Sequence, residues 1–565
     1  MLTRTDARYG KVFGTLFLLY VGAALFVQTS FIVDPSYLHE EERSLFRYHQ
    51  AGDPGLFAGD YIAAFFAAFP QPYLYDWATR LWLQAGGDLL VWHRLLPLAC
   101  WLAFLAGIAE MARRIGDRVT LLGAVGLAVA QPIYLHQITS ALPHAFAFPL
   151  LIWAAAALVH GSVAGLVVLT LLSGLLYPAM TPLLGLILAW HLIGTERLFA
   201  KKSLERNRSL LLLAITGALS LWMVHAALQG TDAFGAALAP MQQTEAFPEN
   251  GPQGRHFSGV FSPLTYVAGK AATQFRWAPD LLSFLLLMVF ACVALYGLAA
   301  LERGSAGRRA LVVFGLCALL LGTAVFVLKP FHSYRFLLYP AFTLLPLLFA
   351  VGLQRFCWTF RRSLRFPNAA TLGLLALIAL SFDSFDHKKL GYWWHLGADQ
   401  QAVMAFAEAQ PQDSLFAVWP GSGSELEMIP YVARRPLFVM YKAHYPSYQD
   451  HLLAMRARMQ ALIDAYLATD AGGLRTLHCD WGVDYLVVDR EHFAEGYARP
   501  RYFAPFDRRI AEIWGGSRRQ DFLLGRPDPG WVAVTTQRYR VLDLARAVGD
   551  RQADSRESCG PAGTP

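Results

Sequence analysis

Charge is scarce in this sequence. Only 16% of its 565 residues are Asp, Glu, Lys or Arg, while 55% are hydrophobic and the mean hydropathy is +0.36. A soluble protein of this size carries more charge, and the composition is that of a polytopic membrane protein. Cysteine is also sparse: six residues, scattered, with no CxxC pair and no Cys/His zinc spacing. That speaks against a zinc or dithiol redox centre. Cys100, Cys292 and Cys317 lie inside apolar runs and Cys357 beside a basic loop, which leaves Cys479 and Cys559 as the pair able to join in an oxidising compartment. No small-residue cleavage site follows the first apolar run, so that run is expected to remain as a span. No internal repeat is detectable, which counts against an inverted-repeat transporter. The net charge of +7 comes from Lys and Arg in short gaps between apolar segments, so it reads as a topology signal and not as a nucleic-acid surface.

What the chain has in abundance is long apolar runs. Spans of about 17–25 residues are expected at 12–33, 91–112, 119–136, 143–160, 162–177, 179–194, 209–228, 281–301, 310–328, 336–354 and 367–382. Tyr177-Pro178 and Thr181-Pro182 join the fifth and sixth, which could instead form one broken helix, since proline interrupts helix hydrogen bonding. The N-terminal tail and alternate gaps carry 18 Lys/Arg, among them Arg4, Arg113, Lys201, Arg308 and Arg361. The opposite gaps, although much longer, carry eight: Arg43, Arg47, Arg80, Arg255, Lys270, Arg276, Lys329 and Arg335. The positive-inside rule places the N-terminus in the cytoplasm. Merging two spans would break the alternation, so the charge count favours eleven, with everything after Asp383 outside.

The expected fold is therefore an α-helical polytopic membrane domain over 1–382, with about 11 transmembrane helices and external loops 34–90 and 229–280. A small external α/β domain follows over 383–546, and 547–565 reads as a disordered polar tail. Within the first loop, 61–69 and 76–83 look like short amphipathic helices in the membrane interface. In the C-terminal part, 414–419, 437–441 and 484–489 are strand-like, 531–536 and 539–544 suggest a hairpin, and 448–467 has helix length.

Two constellations carry chemistry. The first loop holds Asp34, Glu40, Glu41, Glu42, Asp53 and Asp60 next to the membrane. A poorly solvated carboxylate there can act as a general base or bind a cation; the bland alternative is ordinary solvated loop charge among Pro and Gly turns. On the same side lies Lys329-Pro330-Phe331-His332-Ser333-Tyr334-Arg335, a candidate phosphate clamp. Arg holds two oxygens at once, while Lys and His add point charge; the bland alternative is snorkelling of Lys329 and Arg335. His136 and His144 flank a short outside turn and are weaker candidates. Glu110 and His225 are the nearest approach to mid-span ionisable groups.

The acidic first loop from Asp34 to about Trp82 and the late segment 332–340, His-Ser-Tyr-Arg-Phe-Leu-Leu-Tyr-Pro, resemble the polytopic glycosyltransferases of the GT-C superfamily. The adjacent acidic pair common in that family after the first span is missing: Pro35 follows Asp34, and the Glu triplet comes six residues later. The resemblance implies a bacterial inner-membrane protein with a periplasmic or extracellular C-terminal domain. It implies inverting transfer of a sugar from a polyprenyl-phosphate donor to a glycan, lipid or protein acceptor, without nucleic acid. Asp34, Glu40, Glu41, Asp53 and Asp60 are then the candidate catalytic acids. Lys329, His332, Tyr334 and Arg335 are the candidate lipid-phosphate ligands. The metal requirement stays open, since acid clusters suit Mg²⁺ or Mn²⁺ but part of the superfamily works without one. The rivals are a lipid or polysaccharide transporter or flippase, and a non-catalytic scaffold of the same fold.

Overall fold

The structure, a computed structural model, describes residues 4–69, 71–194, 203–228, 232–238, 247–250, 253–255, 280–302, 305–328, 335–361, 364, 366–445, 448–518 and 521–549. Lys329, His332, Tyr334 and Cys559 lie outside them, as do most of 229–280 and nearly all of the tail.

Apolar helices dominate the first two thirds. Among the described residues four are long and apolar enough to cross a membrane: Tyr9–Val33, Leu89–Ile115, Ala306–Ala324 and Arg335–Thr359. A bent pair, Arg118–Ala130 with Pro132–Ile138, makes a fifth, and shorter apolar helices include Pro143–Val159, Val163–Leu176 and Pro367–Ser381. Their outer faces are apolar too: Phe26 is 76% exposed and Leu221 72%. Such faces suit lipid and not water. The protein is a helical, multi-pass membrane protein.

Local sequence explains where these helices start and bend. Asp88 caps Leu89–Ile115 by accepting from the amides of Leu90 (2.7 Å) and Val91 (3.2 Å), and Asp117 caps Arg118–Ala130 through Val119 (2.9 Å). The run expected as one span over 119–136 turns by 60° at Gln131. Gln131 is extended and Pro132 has no amide to continue the ladder. Two helices, Asp280–Ala300 and Arg335–Thr359, touch through glycine. A Cβ on Gly352 would sit 2.0 Å from the Val293 carbonyl oxygen, and one on Gly297 2.1 Å from that of Leu348. Small residues let membrane helices approach to this distance.

The rest of the described chain forms a separate lobe built from two distant stretches. Leu38, Phe46, Tyr48, Phe57 and Ile62 of the first loop share one apolar core with Phe416, Val418, Met455, Val487 and Leu542. The two stretches are also stitched by backbone: β1 (Tyr37–Leu38) pairs antiparallel with β2 (Trp394–His395). The lobe's sheet has the order β3-β4-β6-β5. β3 (Phe416–Val418) and β4 (Tyr485–Asp489) run parallel, while β6 (Tyr539–Asp543) is antiparallel to both β4 and β5 (Val532–Thr535). β3 and β4 are almost wholly buried, as parallel strands usually are. Leu437 makes an isolated bridge to Phe416 and no longer strand. Cys479 is disulfide-bonded, whereas Cys100, Cys292, Cys317 and Cys357 are free.

Candidate functional site

Three successive residues of the acidic loop reach three different partners, two in the lobe and one in a membrane helix. Glu41 forms an ion pair with Lys442 of the lobe. Glu42, fully buried, accepts from Arg94 of the Leu89–Ile115 helix at 3.4 Å. Arg43, also buried, pairs with Glu427 of the lobe at 2.5 Å. The short helical turn Glu42–Ser44 sets this divergence, because successive side chains point in different directions around it. Glu427 is itself saturated, accepting from the amides of Gly421 (3.0 Å) and Tyr441 (2.8 Å). The guanidinium of Arg43 also lies over the rings of Trp394 and Tyr441, at 5.0 and 5.7 Å. Buried charges need such pairing to be tolerated.

The electrostatics differ sharply from one acid to the next. Burial raises the Glu42 carboxyl, against the pull of Arg94, to about 7. Burial also acts to raise Glu41, but the Lys442 charge outweighs it and holds Glu41 well below the usual carboxylate range. For Asp34, half-exposed at the end of the first helix, the burial penalty is outweighed by hydrogen bonds from the Ser36 hydroxyl (2.7 Å) and amide (2.9 Å) and by the charges of His395 and Arg94. Its pKa falls and the carboxylate stays ionised. Glu40 is half-buried, and among the described residues its carboxylate forms no hydrogen bond or ion pair. His39 is buried and pushed down to about 4 chiefly by that burial, so it is neutral at ordinary pH; its Nδ1 accepts from the Glu41 amide at 3.0 Å.

Arg335 occupies the first position of the Arg335–Thr359 helix. His144, in the turn Pro143–Phe146, lies in the electrostatic reach of Arg335, Glu41, His39 and Lys442 at once. The His39 and His136 rings are 6.0 Å apart. Tyr339, one turn into the Arg335 helix, donates to the Gln137 side chain at 3.0 Å. Glu41 and Arg335 thus share one neighbourhood through His144. Asp34 belongs to its edge through Arg94, whose charge also reaches His39.

Asp53 and Asp60 are placed elsewhere. Asp53 is exposed and accepts from the Gly55 amide at 3.1 Å. Asp60 caps the Tyr61–Ala68 helix through the Ala63 amide (3.0 Å) and is raised by burial to about 6. It lines a separate cavity of about 680 Å³ with Arg458 and Trp481. Among the described residues no group of three or more His, Cys, Asp or Glu side chains is placed to hold a metal ion.

The sequence reading passed over Arg94, His39, Arg43, Lys442 and Glu427. Arg94 carried a usable signal: a guanidinium near the start of an apolar span is costly and seldom idle. Lys442 closes an apolar run whose partner residues lie hundreds of positions away, and no local pattern marks it.

No family model and no curated protein matches this sequence. Solved structures do. The chain is similar to ArnT from Cupriavidus metallidurans bound to undecaprenyl phosphate, with 14% identity and a TM-score of 0.49 over 93% of this chain and 97% of that one. It is similar to an Archaeoglobus fulgidus oligosaccharyltransferase complexed with Zn and sulfate, with 13% identity and a TM-score of 0.48 over 87% of this chain and 70% of that one. It is similar to the arabinofuranosyltransferase AftD from Mycobacteria, with 15% identity and a TM-score of 0.45 over 94% of this chain and 40% of that one. Two of the three are named for transfer of a sugar, an oligosaccharyltransferase and an arabinofuranosyltransferase.

Proposed function

We propose that this protein is an inverting membrane glycosyltransferase that takes a sugar from a polyprenyl-phosphate donor and transfers it to an acceptor outside the membrane. The observation that carries this reading is the neighbourhood around His144. It gathers an acid of the first loop, Glu41, a lysine of the external lobe, Lys442, and the arginine that opens a late membrane helix, Arg335. Acids and fixed cations at the junction of an apolar bundle and a polar lobe suit a substrate with a lipid tail and a charged head. Asp34 and Glu40 are the better-placed bases, since Glu41 is already neutralised by Lys442. In the step, a carboxylate takes the proton of the acceptor hydroxyl. The acceptor oxygen bonds to the anomeric carbon as the carbon–oxygen bond to phosphate breaks. The lipid phosphate leaves with the electron pair, and Arg335, with Lys329, His332 and Tyr334, meets the charge that develops on it.

The same proposal includes the topology: eleven spans, cytoplasmic N-terminus and external lobe, in a bacterial inner membrane. The Lys/Arg asymmetry supports it, and so does the disulfide at Cys479, a bond characteristic of oxidising compartments. A transporter would need ionisable groups along a mid-membrane pathway. Arg94 lies in the second turn of its helix, near the span end and not mid-span, and pairs there with Glu42, which favours the transferase.

The test is turnover of the purified protein with a panel of polyprenyl-phosphate sugars and envelope acceptors. Asp34→Asn is expected to lower transfer by about 10²–10⁴-fold if Asp34 is the base, with Glu40→Gln as the parallel variant. Consumption of none of the donors would overturn the reading, and wild-type rates in both variants would remove these two acids from the mechanism.

A further inference from the structure

The external lobe contains a second concave site, away from the acidic loop. A cavity of about 730 Å³ opens at the carboxyl ends of β3 and β4. The segments that follow those two parallel strands, Trp419–Glu425 and Asp489–Arg501, form much of its wall. In open α/β sheets this is the edge at which ligands bind. The cavity runs on into a groove of about 950 Å³, with which it shares Gln253, Arg499, Arg501 and Tyr502. Together they offer room for a chain-like ligand.

The lining indicates what kind. Tyr497 supplies aromatic surface, and the largely buried Trp419 and Tyr502 show ring edges beside it. Trp419 is fixed in place by Tyr466, whose ring centroid is 4.8 Å away, and by its indole N–H, which donates to the Arg501 carbonyl at 3.2 Å. Around the rings stand acceptors, Glu425 and Asp489, and a donor, Arg501. Most of the charge is already balanced. Arg538 holds Asp489 at 2.9 Å, and Arg499 holds Asp507 at 2.7 Å. Arg501 is exposed and makes no ion pair among the described residues, and Glu425 accepts from the neutral Gln400. A highly charged ligand would find few counter-charges to spare. A ligand with C–H faces to lay on aromatic rings, and hydroxyls to meet both acceptors and donors, fits every part of the wall.

We propose that this cavity is a saccharide-binding site, built into the external lobe apart from the membrane-proximal cluster. The proposal requires no transfer step and stands or falls separately from the reaction above. Its floor is nevertheless fastened to the first loop, because Glu427, the buried partner of Arg43, holds the amides of Gly421 and Tyr441 in the cavity wall.

The experiment is equilibrium binding of the full-length protein in lipid nanodiscs to an array of defined di- to hexasaccharides. Neutral, uronic-acid and phosphorylated sets form its arms, with inorganic phosphate as a control. Millimolar or tighter binding of one saccharide set is expected, weakened at least tenfold by Tyr497→Ala and by Arg501→Ala. Arg501 is exposed, so its loss leaves folding intact, and an unchanged thermal melt checks this. Three results overturn the proposal. One is no saccharide bound at millimolar concentration. Another is binding of phosphate as tight as that of any sugar. The third is binding that survives both variants but disappears in Arg335→Lys, which would assign it to the membrane-proximal cluster.

Discussion

Glu41, Glu42 and Arg43 divide their partners among the lobe, a membrane helix and the lobe again, and each contact is an ion pair. Their value lies less in stability gained than in the cost of breaking them. Removing one partner from a buried pair leaves an uncompensated charge and typically costs about 3–5 kcal/mol. Glu427→Ala strands Arg43, and it is expected to lower the thermal midpoint of the purified protein more than Arg80→Ala, which breaks an exposed i,i+4 pair worth about 1 kcal/mol or less. Equal midpoints would show that Arg43 finds water or another acceptor. Arg335 provides a second prediction at this scale. A planar guanidinium holds two phosphate oxygens at once and an ammonium cannot. Arg335→Lys is therefore expected to cut transfer severely, by about a hundredfold, while Lys329→Arg is mild; transfer at matched membrane expression is the measurement. Equal tolerance of both would return Arg335 to a snorkelling role. Of the residues around His144, Glu41 and Arg335 were singled out in the sequence, because residue type and a position at a span end are local facts, whereas Asp53 and Asp60, singled out on the same grounds, lie elsewhere. Lys442 and Glu427 were not legible. Each meets its partner across about 400 residues, and nothing in the neighbouring sequence encodes that meeting.

At the scale of elements, apolar length was the most legible property. Leu89–Ile115, Arg335–Thr359 and Pro367–Ser381 lie on expected runs with ends shifted by a few residues. The break at Gln131–Pro132 was written in the sequence as a proline, but apolar composition on both sides masked it. The first-loop helices were visible as apolar stretches. What they pack against was not: Phe65 stacks on His451 of the lobe at 3.4 Å, a contact between residues nearly 400 positions apart. Helix proximity gives the element-scale prediction. Gly352→Ala forces a methyl against the Val293 carbonyl, with backbone on both sides and no flexible side chain to yield. A destabilisation of about 1–3 kcal/mol is expected, read as a lower melting temperature in nanodiscs. Gly315→Ala, where a Cβ meets nothing within 4 Å, is the matched control and should be neutral. Similar melts for the two would mean that the helices separate without cost.

The whole molecule is a bundle with apolar outer faces, joined to a lobe whose core is drawn from both the first loop and the C-terminal stretch. Reporter fusions at Lys202 and Gln410 are expected to report opposite sides of the membrane, with Lys202 inside; the same side for both would end the eleven-span topology. The composite core also has a consequence in time. Arg43 and Glu427 are separated by 384 positions. At roughly 5–20 residues per second of synthesis, the loop waits roughly 20–80 s for that partner. Through that interval the nascent chain already displays Asp34 and Glu40, but Arg43 is unpaired, Glu41 has no Lys442 and Arg335 is late to arrive. The assembled cluster is a property of chains that have passed Lys442. Ribosome-bound intermediates too short to expose Glu427 and Lys442 carry the acids without the constellation, and the last third of translation is the step that switches it on.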